Sequence, residues 1–173
     1  MDNYRKTLSK INTFIFDIDG VLTDGNVLVA SDGEQLRTMN IRDGYALQLA
    51  VKKGYKIIII SGGKSEVMKQ RFLGLGITEV YLGINNKLEV YQNYLKQTNI
   101  PQENILYMGD DIPDYEVMSV VGFPACPADA AEEIKSIAKY ISPFRGGYGC
   151  ARDIIEQVMK IQGKWFDKDS FHW

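Results

Sequence analysis

The segment KIIII, residues 56–60, constrains the fold more than any other part of the sequence. Consecutive β-branched residues favour a strand, and the lack of any polar residue among the isoleucines indicates a strand buried on both faces. Such strands occur in parallel sheets that are covered by helices on both sides. Other short apolar segments predict the remaining strands of this sheet, at residues 12–17, 79–82 and 105–108 and, more weakly, 121–125.

Between the predicted strands, apolar residues recur at helical spacing. These patterns predict helices over residues 43–53, 66–73, 87–97 and 151–161. The alternation of strands and helices predicts an α/β fold, a doubly wound (Rossmann-like), mostly parallel sheet with helices on both faces and right-handed crossovers. A length of 173 residues suits a single domain over residues 1–173.

One segment departs from the alternation. Residues 27–39 contain two extended runs on either side of Ser31-Asp32-Gly33, and Asp-Gly between such runs is a strong hairpin signal. The hairpin, at about residues 25–40, is inserted directly after the first strand. It should therefore lie beside the carboxyl ends of the strands, where open α/β sheets bind ligands. The chain has no room for a separate cap domain.

The composition excludes several kinds of catalytic site. The only histidine is His172, which excludes a Ser-His-Asp or Cys-His hydrolase and a histidine-rich zinc site. Cys126 and Cys150 do not form a C-x-x-C pair, so neither a zinc ribbon nor a disulfide scaffold is indicated. Any catalysis must then use carboxylates, hydroxyls, lysines or a hard metal ion.

Charge and hydropathy bear on partners and location. The net charge of -2 argues against nucleic acid or an anionic membrane as a partner. The N-terminal residues lack the apolar core of a signal peptide, and no apolar run approaches the roughly 20 residues that span a bilayer. The sequence therefore predicts a cytoplasmic protein.

The first predicted strand ends in two aspartates. Asp17 and Asp19 point the same way because side chains alternate along a strand. Two carboxylates so placed repel each other unless a cation or a shared proton lies between them. Taken alone, a polar strand end followed by a turn explains the pattern equally well. A calcium-binding EF-hand loop does not fit, because Val21 occupies the fifth position of that pattern.

A second acidic cluster follows the predicted strand at 105–108. It contains Asp110, Asp111 and Asp114, and by itself could be a helix cap. Two acidic strand ends in one parallel sheet, however, place four or five carboxylates around one point. Such a cluster is costly without a divalent cation, and its oxygen ligands suit Mg²⁺.

Two further features are typical of anion binding. Ser61-Gly62-Gly63-Lys64-Ser65 resembles part of a P-loop, but the first glycine of that motif would fall at Ile58, which excludes it. A hydroxyl and free N–H groups at a strand-to-helix turn can still bind an anion, although Ser61 could equally cap the helix. Lys87 opens a helix, where the dipole disfavours a cation; it is either a surface lysine or directed at a phosphate.

The order of these motifs resembles the haloacid dehalogenase superfamily of phosphotransferases. Asp-x-Asp-Gly-Val, strand-Ser-Gly, Lys and Gly-Asp-Asp-x-x-Asp follow one another as they do in that superfamily. The segments LTDG at 22–25, GEQLRTMNIRDGYAL at 33–47, NKL at 86–88 and RGGYG at 145–149 resemble its capless branch, which contains 3-deoxy-D-manno-octulosonate 8-phosphate phosphatase. The likeness extends from about residue 10 to residue 165.

The resemblance implies a role for each motif. It implies that Asp17 is the nucleophile that takes the phosphoryl group and that Asp19 is the general acid and base. Mg²⁺ would be held by Asp17, Asp110 and the backbone carbonyl of Asp19. Ser61, Gly62 and Lys87 would bind the phosphoryl oxygens, with Asp111 and Asp114 orienting the lysine and the metal's water. The sugar acid would meet Asn40, Ile41, Arg42, Asp43, Gly44 and Arg71.

The resemblance also implies a substrate and an assembly. The substrate would be the eight-carbon sugar acid phosphate of lipopolysaccharide precursor synthesis. A nine-carbon keto-deoxy acid 9-phosphate is the alternative, because Gln48 and Gly63 stand where some relatives carry a substrate-binding arginine. The related nine-carbon branch has Glu at the position of Gly63, and its absence here favours the eight-carbon ester. A phospho-receiver domain is a distant alternative, because it places its lysine last in chain order, whereas Lys87 precedes Asp110. A homotetramer is implied, with active sites near the subunit interfaces and the apolar hairpin in the contact.

Overall fold

The computed structural model describes residues 2–172, in which six parallel strands form one sheet. In chain order the strands are β1 (Thr13–Phe16), β2 (Leu28–Val29), β3 (Gln35–Leu36), β4 (Lys56–Ile60), β5 (Glu79–Tyr81), β6 (Ile105–Met108), β7 (Phe123–Cys126) and β8 (Tyr140–Ile141). The sheet order is β5-β4-β1-β6-β7-β8, so β1 lies between β4 and β6. The predicted α/β fold with a parallel sheet is confirmed.

Helices cover both faces of this sheet. They are α1 (Asp2–Leu8), α2 (Ile41–Lys52), α3 (Glu66–Gly74), α4 (Lys87–Thr98), α5 (Tyr115–Val120), α6 (Glu132–Ile137) and α7 (Cys150–Ile161). The four helices predicted from the sequence are α2, α3, α4 and α7, with ends that differ by one or two residues. None of the helices in residues 2–172 is both long and apolar enough to cross a bilayer.

The core divides into two layers, one on each face of the sheet. Phe14 and Phe16 of β1 pack into the layer formed with α2, α3 and α7, whereas Ile15 packs into the layer formed with α4, α5 and α6. The isoleucines of β4 alternate in the same way, and four of its five residues are buried. Burial of both strand faces explains why this segment has no polar residue after Lys56.

The insertion after β1 is the predicted hairpin. Leu28 of β2 pairs with Leu36 of β3 in an antiparallel register, which confirms the prediction. Gly33 has a φ of +87° in the connecting turn, where its N–H donates to Ala30 O at 2.9 Å. The apolar side chains of Leu28 and Val29 are about two thirds exposed, so this hairpin presents an apolar surface.

The segment after α7 folds back onto α2. Lys53 Nζ lies 2.5 Å from an Asp167 carboxylate oxygen and 2.6 Å from one of Asp169. Tyr45 donates a hydrogen bond to Ser170 O. These contacts hold residues 163–172 against the same face of the molecule as α7.

Candidate active site

A cleft of about 530 Å³ opens at the carboxyl ends of the central strands. The direction of winding reverses there, since β4 and β5 extend the sheet to one side of β1 and β6 to β8 extend it to the other. Open α/β sheets bind ligands at such a point. The acidic, phosphate-binding and orienting residues predicted from the sequence all line this cleft: Asp17, Asp19, Ser61, Gly62, Lys87, Asp110, Asp111 and Asp114.

Lys87 is buried between two carboxylates. Its Nζ lies 3.0 Å from Asp17 Oδ1 and 2.7 Å from Asp114 Oδ1. The side chain is about 5% exposed, so Lys87 is not the surface lysine that the sequence allowed. Burial opposes its charged form, but the charges of Asp17 and Asp114 outweigh it, and the pKa of Lys87 is raised. The N-terminus of α4 is capped by Asn86, which accepts from Glu89 N.

Asp114 organises the acidic strand end. Its Oδ1 accepts from Lys87 and also from the hydroxyl of Tyr107 at 2.6 Å, and its Oδ2 accepts from Asp110 N at 3.2 Å. It makes no side-chain cap on α5, although it directly precedes that helix. Asp111, by contrast, is exposed and caps the short turn Ile112–Asp114. Asp114 rather than Asp111 therefore orients the lysine.

The crowded carboxylates hold protons more tightly than isolated ones. Burial, followed by the charge of Asp114, raises the pKa of Asp17 to about 7. Burial and the charges of Asp17 and Asp114 raise the pKa of Asp110 to about 8. A divalent cation between these oxygens would relieve the repulsion.

The donor set fits a hard cation. Oxygens of Asp17, Asp110 and Asp114 lie within 4.8 Å of one another. Asp110 Oδ1 is buried and has no hydrogen-bond partner among the residues described, so it is free to act as a ligand. Gly20, with a φ of +87°, permits this arrangement, because a Cβ there would lie 1.9 Å from Asp110 Oδ2. Oxygen donors of this kind are those that Mg²⁺ prefers.

The turn after β4 is arranged for anion binding. Ser61 is buried and its Oγ accepts from Gly63 N at 3.1 Å. The cap of α3 is Ser65, which accepts from Met68 N, so the capping alternative for Ser61 is excluded. The Gly62 N–H donates to no group within residues 2–172. A hydroxyl and a free N–H thus border the cleft on the side opposite Asp110.

Arg37 is a charged residue of the site that the sequence analysis missed. It follows β3 of the hairpin, and its Nε lies 2.6 Å from Asp19 Oδ1 while its Nη2 lies 3.2 Å from Asp19 Oδ2. The only signal in the sequence is its place in a hairpin expected beside the site. Nothing in the local pattern shows that its side chain reaches Asp19.

A glycine-containing loop from the C-terminal half packs against the turn that follows β1, residues 19–24. Gly147 N donates to Val21 O at 2.9 Å. A Cβ on Gly146 would lie 1.9 Å from Gly20 O, and one on Gly147 would lie 2.6 Å from Asp24 N. The two backbones are in contact, and only glycine allows so close an approach. The RGGYG segment thus supports the turn that carries Asp19.

The residues predicted to meet the sugar acid lie elsewhere. Asn40 and Arg42 line a separate cavity of about 700 Å³ against α7, and Ile41 is exposed. The side chain of Arg71 packs against α2, because a Cβ on Gly44 of that helix would be 2.7 Å from Arg71 Nη2. None of these side chains borders the acidic cleft. Their contact with a sugar stays a prediction.

Asp43, the remaining residue predicted to meet the sugar acid, is buried, and its carboxylate connects two helices. Its carboxylate accepts from Arg152 N at 2.7 Å and from Gly149 N at 3.2 Å, at the N-terminus of α7. Burial raises its pKa to about 6, against the lowering effect of these hydrogen bonds. In this structure Asp43 stabilises the packing of α2 on α7.

Comparison with known proteins indicates the same class of enzyme as the arrangement of the site residues. Residues 73–152 match the family model for haloacid dehalogenase-like hydrolases. The chain is 37% identical over 154 residues to the 3-deoxy-D-manno-octulosonate 8-phosphate phosphatase of Escherichia coli K12, covering 89% of this chain and 82% of that one. Similarity to these hydrolases excludes the phospho-receiver alternative.

Solved structures of related enzymes share the fold. The phosphatase of Moraxella catarrhalis, in complex with a magnesium ion, a phosphate ion and a KDO molecule, is 29% identical with a TM-score of 0.92. The match covers 99% of this chain and 97% of that one. The Yersinia pestis phosphatase is 32% identical with a TM-score of 0.91, covering 94% and 88% of the two chains.

Proposed function

The chain belongs to the haloacid dehalogenase-like hydrolases, and we propose that within them it is a Mg²⁺-dependent phosphatase of 3-deoxy-D-manno-octulosonate 8-phosphate. The observation that carries this proposal is the ion-paired Lys87. It joins Asp17 and Asp114 in a cleft that also contains Ser61 and the unpartnered Asp110 oxygen. A carboxylate nucleophile, a cation and anion-binding groups are thus in one place.

In the first half of the proposed reaction, a carboxylate oxygen of Asp17 attacks phosphorus. The bond between phosphorus and the sugar oxygen breaks, and Asp19 gives its proton to the departing oxygen. Lys87, the Ser61 hydroxyl and the Gly62 N–H bind the equatorial phosphoryl oxygens, where negative charge is spread in the transition state. The products of this half are the free sugar acid and a phosphorylated Asp17.

In the second half, water attacks the phosphorylated Asp17. Asp19, now ionised, takes a proton from this water as its oxygen bonds to phosphorus. The bond between phosphorus and Asp17 breaks, so the carboxylate is restored and phosphate leaves. Asp114 keeps Lys87 in place throughout, because Tyr107 and Asp110 N hold its two oxygens.

The carboxylates of Asp17 and Asp110 and the carbonyl of Asp19 are the proposed Mg²⁺ ligands. Bound Mg²⁺ neutralises charge on the nucleophile and on the phosphoryl oxygens. Asp114 is a poorer ligand, since both of its oxygens already accept hydrogen bonds from the protein.

Mg²⁺ is expected to stabilise the protein more at pH 8 than at pH 6. The pKa values of Asp17 and Asp110, about 7 and about 8, exceed the ordinary value of 3.8. Without metal the folded state therefore binds more protons than the unfolded state, and stability falls as pH rises from about 4 to about 8. At pH 8, Mg²⁺ at about 100 times its Kd should add about 2.7 kcal/mol to the free energy of unfolding, or roughly 5–10 °C in Tm.

Thermal unfolding with EDTA or with Mg²⁺, at both pH values, tests this prediction. Asp110→Asn should lose most of the Mg²⁺-dependent rise in Tm, whereas Asp32→Asn in the exposed hairpin turn should keep it. Ca²⁺ should restore phosphatase activity poorly, because it takes more ligands at longer distances. Full activity in metal-free buffer, or equal Mg²⁺ effects at the two pH values, would contradict the proposed centre.

The substrate is tested with a panel of sugar phosphates. We expect the highest kcat/KM for the eight-carbon ester, and a higher value for a nine-carbon keto-deoxy acid 9-phosphate would replace it as the substrate. The panel should include aldose phosphates, since a preference for these would exclude both sugar acids.

For the active form we propose a homotetramer in which the hairpin packs on other subunits. The support is the apolar surface formed by Val27, Leu28, Val29 and Leu36, each more than 40% exposed in the single chain. Two-stranded ribbons with exposed edges are also poorly stable alone. A neighbour on the hairpin would cover these residues and narrow the mouth of the adjacent cleft.

Replacing both Val27 and Val29 with Asp should dissociate the assembly and lower turnover with it. Charge placed on a buried interface costs several kcal/mol per unpaired group, and loss of the neighbour exposes the site to water. Light scattering and phosphate release measure the two effects. Val120→Asp, at an exposed apolar position of α5, is the control. A monomer that keeps the wild-type kcat/KM would show that the neighbour contributes nothing to catalysis.

A further inference from the structure

Arg37 forms a two-pronged ion pair with Asp19. Two of its nitrogens contact the two carboxylate oxygens, at 2.6 and 3.2 Å, and Nη1 donates to Gln35 O at 3.2 Å. Its side chain is only 10% exposed, whereas Asp32 and Glu34 of the same hairpin are exposed. The hairpin therefore directs one guanidinium into the site.

This pair has to open during turnover. It occupies both carboxylate oxygens of Asp19, which are the atoms that must reach the sugar oxygen in the proposed reaction. When Asp19 turns to the substrate, the guanidinium loses its partner in a largely enclosed place. An unpaired charge there is costly, so Arg37 requires a second anion.

The space beside Arg37 can hold that anion. A Cβ on Gly63 would lie 3.9 Å from Arg37 Nη2 and 3.5 Å from Ser61 Oγ. Because Gly63 has no side chain, none of its atoms fills the space between the guanidinium and the Ser61 hydroxyl. A second cleft, of about 510 Å³, shares Gly62 and Gly63 with the acidic cleft and is lined by Arg37. A ligand with its phosphate at Ser61 can extend over Gly63 to Arg37.

The charges in the second cleft favour a carboxylate near Arg37. Lys64 also lines it and forms no ion pair within residues 2–172. Glu34 and Glu66 line it too, but both are exposed to water, which screens them. Arg37 is the shielded charge, and its planar fork matches the two oxygens of a carboxylate.

We propose that Arg37 recognises the carboxylate of the sugar acid, exchanging Asp19 for it when the substrate binds. This inference rests on the proposed function, in which the substrate carries a phosphate at one end and a carboxylate at the other. The exchange couples recognition to catalysis: a phosphate ester with a carboxylate in reach of Arg37 releases Asp19, and one without it does not.

The test compares pairs of esters that differ only at the carboxylate. One pair is 3-deoxy-D-manno-octulosonate 8-phosphate and its C1-reduced alcohol; the other is 6-phosphogluconate and glucitol 6-phosphate. For each pair the ratio of kcat/KM, with carboxylate over without, is measured in the wild type, Arg37→Gln, Arg37→Lys and Arg42→Gln. Thermal unfolding of each variant verifies that it is folded.

Arg37→Gln should lower this ratio about 100-fold, as expected when a shielded charged pair with a ligand is lost. Arg37→Lys should give an intermediate ratio, because lysine keeps the charge and not the fork. A ratio unchanged in Arg37→Gln, with both esters slowed equally, would mean that Arg37 only positions Asp19. A fall confined to Arg42→Gln would also overturn the proposal.

Failure of the proposed function gives a different result. In that case the wild type does not hydrolyse the octulosonate ester. The kcat/KM ratio of the gluconate pair alone then tests whether Arg37 binds a carboxylate. A wild-type preference for 6-phosphogluconate that Arg37→Gln removes supports the carboxylate receptor. No preference in either pair rejects it.

Discussion

Asp17→Asn should lower kcat for phosphate-ester hydrolysis by at least about 10⁴-fold, while the protein stays folded. An amide has no anionic oxygen to attack phosphorus, so the covalent step is lost. Burial raises the pKa of Asp17 to about 7. Above that pH, the cost of burying the charged carboxylate lowers the free energy of unfolding. We therefore expect the free energy of unfolding at pH 8 to stay the same or to rise.

Steady-state phosphate release and denaturant unfolding measure these two effects. Glu103→Gln makes the same carboxylate-to-amide exchange at an exposed position before β6, away from the cleft and the hairpin, and it should leave both unchanged. A kcat within tenfold of wild type corresponds to about 1.4 kcal/mol of barrier. That is too little for the loss of a nucleophile, and it would remove Asp17 from this role.

Lys87→Met should have the largest effect on stability. It removes the cation between Asp17 and Asp114 and leaves two buried carboxylates with no positive charge between them. Breaking a buried pair in this way costs about 3–5 kcal/mol. Without the ammonium, kcat/KM should also fall by about 10²–10³-fold, because a donor to the phosphoryl oxygens is lost.

The stability loss should depend on pH and on the partner charges. Protonated carboxyls do not repel each other, so the loss should be smaller at pH 5 than at pH 8. Adding Asp114→Asn to Lys87→Met should recover part of the lost free energy, since it removes one of the two uncompensated charges. Lys56→Met, at the opposite end of the sheet, is the control and should change stability by less than about 0.5 kcal/mol. Additive effects of the two substitutions would contradict the coupling.

The elements that the sequence predicted are those with a strong local pattern. The isoleucines of β4 can only be a strand buried on both faces, and α7 has a clear apolar stripe. The missed elements are α1, α6 and β8, with two to seven residues each. Segments this short show less than two turns of helical periodicity, and tertiary contacts decide their structure.

The candidate site divides in the same way. The acidic residues were predictable because the strands are parallel, which brings Asp17 and Asp110 to one edge of the sheet. Tyr107 was not, because its hydroxyl contacts Asp114 from within an apolar strand and looks like core in the sequence. Arg37 depends on how the hairpin bends over β1, a tertiary arrangement with no local signal.

The contact between the RGGYG loop and the turn after β1 affects the stage of synthesis at which the protein can become active. Cys150 Sγ, next to this loop, donates to Val21 O across a separation of 129 residues. A ribosome adds 5–20 residues per second, so the turn waits roughly 6–26 s for its supporting loop during synthesis. Until then the nascent chain has its nucleophile without the backbone that holds the turn in place. We therefore expect no hydrolysis before this loop has been synthesised, and a fragment that ends before the glycines should be inactive.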